Sequence, residues 1–210
     1  MSYDFKKEQK ELYRPKTEPS VINVPEMVFL MVDGSGDPNV SQEYIDAVQA
    51  LYGLSYAIRM NKTWAGYFEY VVAPLEGLWR VDDPNFRGKG ALITDKSKLI
   101  WTSLIRQPDF VTPEIFEQAK EIARKKKPEG DFSKVRLEKF NEGLCIQVMH
   151  IGPYDTEADT IVKIGRYAKD NGYTENFKDG NGHHEIYLGD PRKSAPEKLK
   201  TIIRHPVRKG

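Results

Sequence analysis

The segments VFLMVDGSG at 28–36 and LCIQVMHIG at 144–152 decide the fold. Each is a strand-like apolar run that ends in glycine and leads into a helical pattern, and the two stand 116 residues apart (144 − 28). LIRQP at 104–108 and IIRHP at 202–206 form a second pair, offset by 98 (202 − 104). The difference of 18 residues (116 − 98) indicates an insertion in the first copy. The sequence therefore predicts two copies of one unit, and a ligand cleft forms most easily at the seam between such copies.

Hydrophobic periodicity predicts strand–helix–strand–strand in each copy. We expect one domain over 1–210, with a first repeat at about 21–110, a linking helix at about 113–127 and a second repeat at about 132–210. The linking helix has a threonine cap at Thr112 followed by proline. Strands mixed with few helices, and hairpin-like pairs late in each copy, favour an α+β fold over a doubly wound sheet.

The individual elements follow from apolar runs and turn residues. Residues 1–20 are interpreted as an arm or short edge segment, and 74–95 hold most of the insertion. Asn39 or Ser41 can cap the first helix, and Thr156 the helix of the second repeat. The predicted strands lie at about 28–32, 66–74, 98–105, 134–140, 144–151, 184–189 and 200–205.

Composition narrows the class of protein. Apolar residues make up 39% of the chain, enough for a core, and the formal net charge is only +1. This balance gives no electrostatic footprint for nucleic acid. No apolar stretch approaches the roughly 20 residues of a membrane span, and the N-terminus lacks a signal-peptide core. The single cysteine, Cys145, indicates a buried, reduced thiol, so we expect a cytoplasmic protein.

Two short motifs suggest ligands that their context disfavours. DGSGDPN at 33–39 lacks the lysine of a phosphate loop and is interpreted as a turn. His183 and His184 are adjacent on a predicted strand, so their side chains point to opposite faces and cannot share one metal. We therefore expect no metal and no cofactor.

Glu185 is the more informative residue of that strand. Ile186 and Leu188 share one face, which should lie on the helices, and Glu185 shares the other face with Tyr187. The carboxylate is either an ordinary solvated group or the acid of a site. Glu69 stands one repeat offset earlier (69 + 116 = 185), as expected if both copies place an acid there.

Three aromatic residues lie near the predicted seam. Tyr154 follows a strand end in MHIGPY at 149–154, and is either a packed loop residue or a residue at the edge of a cleft. Trp79 and Trp101 lie in or beside the insertion. Such side chains either cap a core or form flat platforms for planar ligands, and the pattern leaves both interpretations open.

The chain resembles the GyrI-like small-molecule-binding family in motifs that extend over nearly its whole length. They are VDGSGDPN at 32–39, PLEGLW at 74–79, LIRQPDFVTPE at 104–114, HIGPYDTE at 150–157 and HHEIYLGDPRKSAPEKLKTIIRHPV at 183–207. Together they are similar to the stand-alone branch, which has no DNA-binding domain. The resemblance implies two SHS2-type modules related by a pseudo-twofold axis, with an antiparallel sheet and a ligand cleft between them.

The resemblance also implies roles for individual residues. The family's acid falls on Glu185 and its tyrosine on Tyr154, which we predict to be catalytic. Trp79 and Trp101 match cleft-lining positions. Further ligand-binding candidates in the same motifs are Glu76, His150 and Tyr187.

Some stand-alone members resemble hydrolases of cyclopropane-containing DNA alkylators, which leads us to expect a xenobiotic-detoxifying enzyme using glutamate and tyrosine without metal. The expected partner is a small planar hydrophobic or cationic ligand, with no direct nucleic-acid contact and no membrane, bound by a monomer or homodimer. The alternatives are sequestration of cationic aromatic drugs without catalysis, or a gyrase-inhibitor-like interaction protein, which the near-neutral charge disfavours.

Overall fold

A computed structural model describes residues 2–81, 95–177 and 182–210. Within these residues, five α-helices and seven strands follow one another in the order α1 α2 β1 α3 β2 β3 α4 β4 α5 β5 β6 β7. The helices are α1 (Phe5–Glu8), α2 (Lys10–Tyr13), α3 (Gln42–Met60), α4 (Pro113–Lys126) and α5 (Glu157–Asp170). The strands are β1 (Ser20–Ser35), β2 (Leu75–Val81), β3 (Leu99–Gln107), β4 (Arg136–Ile151), β5 (Tyr173–Glu175), β6 (His183–Tyr187) and β7 (Lys200–Lys209).

The antiparallel sheet closes on itself. Its strands pair in the order β4-β1-β3-β2-β6-β7, and β7 pairs in turn with β4, so that six strands form a barrel. The short strand β5 pairs with the end of β7. Helices combined with an antiparallel sheet agree with the predicted α+β class, and the barrel buries one side of each strand.

Helices α3 and α4 begin where their caps predict, whereas Thr156 stands before α5 without a capping hydrogen bond from its side chain. Ser41 accepts a hydrogen bond from the backbone N–H of Tyr44 and starts α3, and Thr112 does the same for Ile115 at the start of α4. Leu51, Leu54 and Ile58 recur at helical spacing and are fully buried in the main core. A second, smaller apolar cluster lies under α5; its buried members are Ile146, Val148, Ile161, Ile164, Ala168, Ile203 and Val207.

Several predicted boundaries were wrong. The strand expected at about 66–74 is irregular apart from one bridge at Tyr70, and β2 begins only after Pro74. The two strands expected at 134–140 and 144–151 form one continuous strand, β4, because the Asn141–Gly143 segment continues the pairing with β1 instead of turning. Most of the predicted insertion, at 82–94, lies outside the described residues.

The N-terminal segment also differs from the predicted arm or edge. It folds as α1 and α2 and buries Phe5, Leu12 and Tyr13. The buried Arg204 side chain donates to the carbonyl of Leu12, and Gln147 donates to the carbonyl of Glu11 at 2.8 Å. These long-range contacts, which no local pattern encodes, hold the segment in place. Within the described ranges, no helix has the length and apolar character of a bilayer-crossing segment.

Candidate functional site

A cavity of about 1210 Å³ opens between α3, α5 and the strands β2 and β6. This volume is slightly above the roughly 300–1,000 Å³ typical of small-molecule sites. Its walls are largely aromatic and aliphatic, and its acidic residues include Glu157 and Glu185. The residues that line it include Tyr44 from α3, Trp79 from β2, Tyr154 just before α5, Glu157 at the start of α5, and His183, Glu185 and Tyr187 from β6.

Strand β6 directs alternate side chains to the cavity because side chains on a strand point to opposite faces in turn. His183, Glu185 and Tyr187 line the cavity, whereas His184 and Ile186 are buried on the other face. The expectation that the apolar face of this strand lies on the helices was therefore wrong. In a closed sheet the apolar face turns to the barrel interior, and the polar face meets α3 and α5.

Glu185 is the centre of a hydrogen-bonded group at the wall of the cavity. Its Oε1 lies 3.0 Å from His183 Nε2, and its Oε2 accepts from the hydroxyl of Tyr187 at 2.8 Å. Trp79 Nε1 donates to the same hydroxyl at 3.0 Å. The Glu185 side chain is 14% exposed, so it is neither an ordinary solvated carboxylate nor fully sealed.

Glu157 adds a second carboxyl group, with an oxygen 3.9 Å from His183 Nε2. Burial raises the pKa of Glu157 to about 7, and the neighbouring charge of Glu185 acts in the same direction. Burial lowers the pKa of His183, but the nearby carboxyl group of Glu157 and the hydrogen bond and charge of Glu185 outweigh it and raise the pKa to about 9. Burial likewise raises the pKa of Glu185, but the hydrogen bond and charge of His183 bring it below its usual value. At neutral pH the site therefore holds a carboxylate beside an imidazolium.

Tyr154 lies over this group and is 36% exposed. Its ring meets the edge of the Tyr187 ring at a centroid distance of 5.7 Å. Burial, then the charge of Glu185, raises the pKa of Tyr154, so the phenol keeps its proton at neutral pH. Glu185, Tyr154, Tyr187 and Trp79, all predicted from sequence, thus come together in one cavity.

Three other predicted ligand-binding residues do not line this cavity. Trp101 is fully buried, and its ring packs against Tyr44 at 5.1 Å. A methyl group on Gly34 would lie 2.2 Å from the Trp101 ring, so the indole fills the space that this glycine leaves. His150 Nδ1 lies 2.9 Å from the Thr160 hydroxyl, and Glu76 is buried on the other face of the sheet.

Glu76 belongs to a separate buried cluster around His184. The Nε2 and Nδ1 atoms of His184 lie 2.9 Å from Glu76 and 3.0 Å from Glu142, and Arg204 lies 3.6 Å from Glu142. Burial lowers the pKa of His184, but the charge of Glu142 and hydrogen bonds to both acids outweigh it and raise the pKa to about 9. His183 and His184 thus take different partners, as the strand geometry predicted.

Glu69 does not repeat Glu185. It is exposed and pairs with Lys62. Leu75 pairs with Ile105 as Glu185 pairs with Ile203, and 203 − 105 equals the predicted repeat offset of 98. An apolar residue therefore stands where the predicted repeat would place the counterpart of Glu185.

Sequence reasoning missed Glu157, Tyr44 and the role of His183 in the site. Glu157 lies in the quoted motif HIGPYDTE, but an acid in the first turn of a helix is usually explained by the helix dipole. Its burial beside His183 depends on how α5 packs on β6, which has no signature in the sequence.

Ligand atoms of Glu157, His183 and Glu185 lie within 4.8 Å of one another, a spacing that a cation could bridge. The two acids raise the pKa of His183 to about 9, so at neutral pH a cation would compete with a proton for this ring nitrogen. A metal would have to displace the imidazolium proton. The chemistry of the group is that of an ion pair in a partly dry cavity.

Comparisons with known proteins agree on the fold. The model of the GyrI-like small molecule binding domain matches residues 17–208. A crystal structure of an uncharacterised conserved protein from Listeria innocua is 48% identical, covers 99% of this chain and 100% of its own, and has a TM-score of 0.91. A crystal structure described as a hydrolase from the same organism is 47% identical over 99% and 100% of the two chains, with a TM-score of 0.88.

A more distant structure, the C-terminal domain of EcmrR, is 12% identical over 92% of this chain and 98% of its own, with a TM-score of 0.53, and supports the fold alone. No match was found among curated proteins.

Proposed function

The chain belongs to the family of GyrI-like small-molecule-binding domains, and on that premise we propose that its cavity binds flat, hydrophobic or cationic xenobiotics and adds water to a strained electrophilic ring within them. The ring class is a cyclopropane conjugated to a carbonyl, and the biological result is protection from genotoxins. The observation that carries the proposal is Glu185, a carboxylate with fixed hydrogen bonds at the wall of a largely aromatic cavity. The description of a 47% identical relative as a hydrolase supports it.

We also propose that the whole chain is one domain built from two strand–helix–strand–strand modules related by a pseudo-twofold axis, with the cavity as their shared cleft. Strands β1, β2 and β3 would correspond to β4, β6 and β7. Exchanging the two sets leaves the order of pairing around the barrel unchanged. The contact between β2 and β6 would then lie at the axis, next to the acidic group.

Ligand binding would use the aromatic walls and the acidic wall together. Trp79 and Tyr44 lie 5.9 Å apart, ring to ring, and offer surfaces for a planar molecule. The carboxylate of Glu185 favours a positive or electron-poor group at that end. Because the carboxylate is largely shielded from water, its attraction for a cation is stronger than that of a surface acid.

The reaction would proceed as follows. Glu185 accepts a proton from water as the water oxygen bonds to a ring carbon, and the ring C–C bond breaks. The electron pair of that bond moves through the conjugated system to the carbonyl oxygen, which takes a hydrogen bond and then a proton from Tyr154. Tyr154 regains a proton from solvent, and Glu185 releases to solvent the proton that it accepted from water. Positioned acid–base groups contribute roughly 10²–10⁴-fold to a rate, which suits a substrate that is already strained.

A second candidate function is sequestration without turnover. It is favoured by the same pairing of Glu185 with the Trp79 wall, because an indole face and a carboxylate together hold an aromatic cation without any chemistry. The two functions differ in stoichiometry. Sequestration saturates at one ligand per chain, whereas hydrolysis consumes many.

The deciding experiment is product analysis by mass spectrometry with a cyclopropane-bearing alkylator in excess over protein. We expect a product heavier by one water and multiple turnovers. Glu185→Gln should lower kcat by roughly 10²-fold or more while still binding an unreactive, uncharged planar aromatic molecule. Glu197→Gln, an exposed change outside the cavity, is the matched control. Equal turnover by Glu185→Gln and the control would refute the role of Glu185.

A further inference from the structure

A line of hydrogen bonds runs from Glu185 away from the cavity. His183 Nε2 lies 3.0 Å from Glu185, and His183 Nδ1 lies 2.8 Å from His205 Nε2. His205 Nδ1 lies 2.6 Å from the carboxylate of Glu175 in β5. Four ionisable side chains from three strands are thus joined end to end, and the last one, Glu175, is 17% exposed at the far side.

The polarity of this line follows from its outer end. A carboxylate accepts hydrogen bonds only, so His205 donates to Glu175 from Nδ1. Burial lowers the pKa of His205, which leaves its Nε2 without a proton at neutral pH and able only to accept. His183 must therefore donate from Nδ1, and its second proton, on Nε2, points at Glu185. Each choice of tautomer is set by the one behind it.

Packing fixes the two imidazoles in this arrangement. The His183 and His205 rings meet at 76° with centroids 5.1 Å apart, and Phe177 packs on His205 at the same distance. The acids that face the two histidines come from four elements: Glu157 from α5, Glu185 from β6, Glu175 from β5 and, at longer range, Glu142 from β4. His205 is fully buried, and among the residues that the structure describes Glu175 connects the line to solvent on that side.

We propose that Glu175 and His205 are positioning residues for the cavity. Through His183 they hold the Glu185 carboxylate in one orientation and keep a proton on His183 Nε2 that points at this carboxylate. Neither residue lines the cavity, so neither would touch substrate. The kinetic part of this inference rests on the proposed hydrolysis. The protonation pattern does not, because it is a property of the free protein.

The first test is NMR of ¹⁵N-histidine-labelled protein at about pH 7.5, where the two ring nitrogens report protonation and tautomer separately. The chain has four histidines, so single substitutions assign the signals. We expect His183 to carry protons on both nitrogens and His205 on Nδ1 alone. In Glu175→Leu the His205 tautomer should no longer be fixed and His183 should lose a proton at lower pH. Unchanged His183 and His205 signals in Glu175→Leu would overturn the proposal.

The second test is the pH dependence of hydrolysis. Glu175→Leu should lower kcat by roughly 10- to 100-fold, the effect of losing one charge-assisted hydrogen bond, with little change in KM. The alkaline limb of the kcat–pH profile of Glu175→Leu should move to lower pH. Glu175→Gln, which keeps an acceptor oxygen, should recover part of the rate. Thr174→Ala, an exposed change on the same strand, controls for damage to β5.

The two tests separate the failures. If wild-type protein binds ligand but turns nothing over, the proposed hydrolysis fails, and NMR alone decides whether the line orients His183. If wild-type protein is active and Glu175→Leu matches Thr174→Ala in kcat and pH profile, the positioning role is refuted while the hydrolysis stands. Equal urea midpoints for the variants would exclude loss of fold as the cause.

Discussion

Raising the pH from about 7 to about 8.5 should lower the free energy of unfolding, because two buried histidines bind their protons more tightly in the native state than in the unfolded state. His183 and His184 each have a pKa raised from 6.5 to about 9 by hydrogen bonds and charges of neighbouring acids that outweigh burial. The stabilisation that a raised native pKa provides is fully present below the unfolded pKa and is lost as the pH rises through the native pKa. The loss therefore falls between about pH 6.5 and pH 9.

The size of the effect follows from the shifts. A pKa raised from 6.5 to about 9 corresponds to about 3 kcal/mol for a fully buried histidine such as His184. Between about pH 7 and pH 8.5, each histidine loses about 2 kcal/mol of that. The two residues have separate acid partners on opposite faces of β6, so their contributions should add to about 4 kcal/mol. Glu157, whose pKa is raised to about 7, adds a small loss in the same direction.

The assay is urea unfolding, followed by circular dichroism at several pH values across this range. His184→Gln should be less stable at about pH 7 and should show roughly half of the wild-type pH dependence, because only His183 still titrates. His150→Gln is the control, since its hydrogen-bond partners are Thr160 and the carbonyl of Pro153. A wild-type free energy of unfolding that changes by less than about 1 kcal/mol across the range would refute the reasoning.

Two further predictions concern the cavity. Trp79→Phe should weaken binding of a planar cation by roughly 3- to 10-fold, because it removes aromatic surface and the hydrogen bond to Tyr187. Trp101→Phe should instead lower the free energy of unfolding by about 1–3 kcal/mol and leave the affinity unchanged. Isothermal titration measures the affinities and urea unfolding the stabilities, and the opposite pattern would make Trp101 the binding residue. Hydrolysis should persist after dialysis against EDTA, because His183 Nε2 holds a proton beside Glu185; loss of activity that returns on adding a divalent metal would contradict this.

Local patterns identified most of the elements and two of the central site residues. The caps at Ser41 and Thr112 and the alternation around Glu185 are short-range properties, and they led to correct helices and to a correct separation of His183 from His184. The prediction of a strand at about 66–74 was wrong because an apolar run does not determine which strand it pairs with. Strand β2 begins after Pro74, where the chain pairs with β3.

The site divided in the same way. Trp79 and Trp101 have similar sequence contexts and pair directly across β2 and β3, yet one lines the cavity while the other fills the space beside Gly34 and packs on Tyr44. Tertiary packing separates their environments, although Tyr44 from α3 contacts both rings. Glu157 lies in the motif HIGPYDTE, but no sequence pattern predicted its proximity to His183, because that depends on the docking of α5.

The amino-acid sequence alone determined that this chain is an α+β protein of the GyrI-like kind, and its resemblance to that family pointed to Glu185 and Tyr154 as the acid and tyrosine of the predicted site. Tertiary structure decided that the sheet closes, that Glu185 faces the helices, and that Glu157 and His183 lie beside it, with His205 behind His183. The physical reason is range: side-chain alternation and caps act over a few residues, whereas burial and pKa depend on charges brought together from distant parts of the chain.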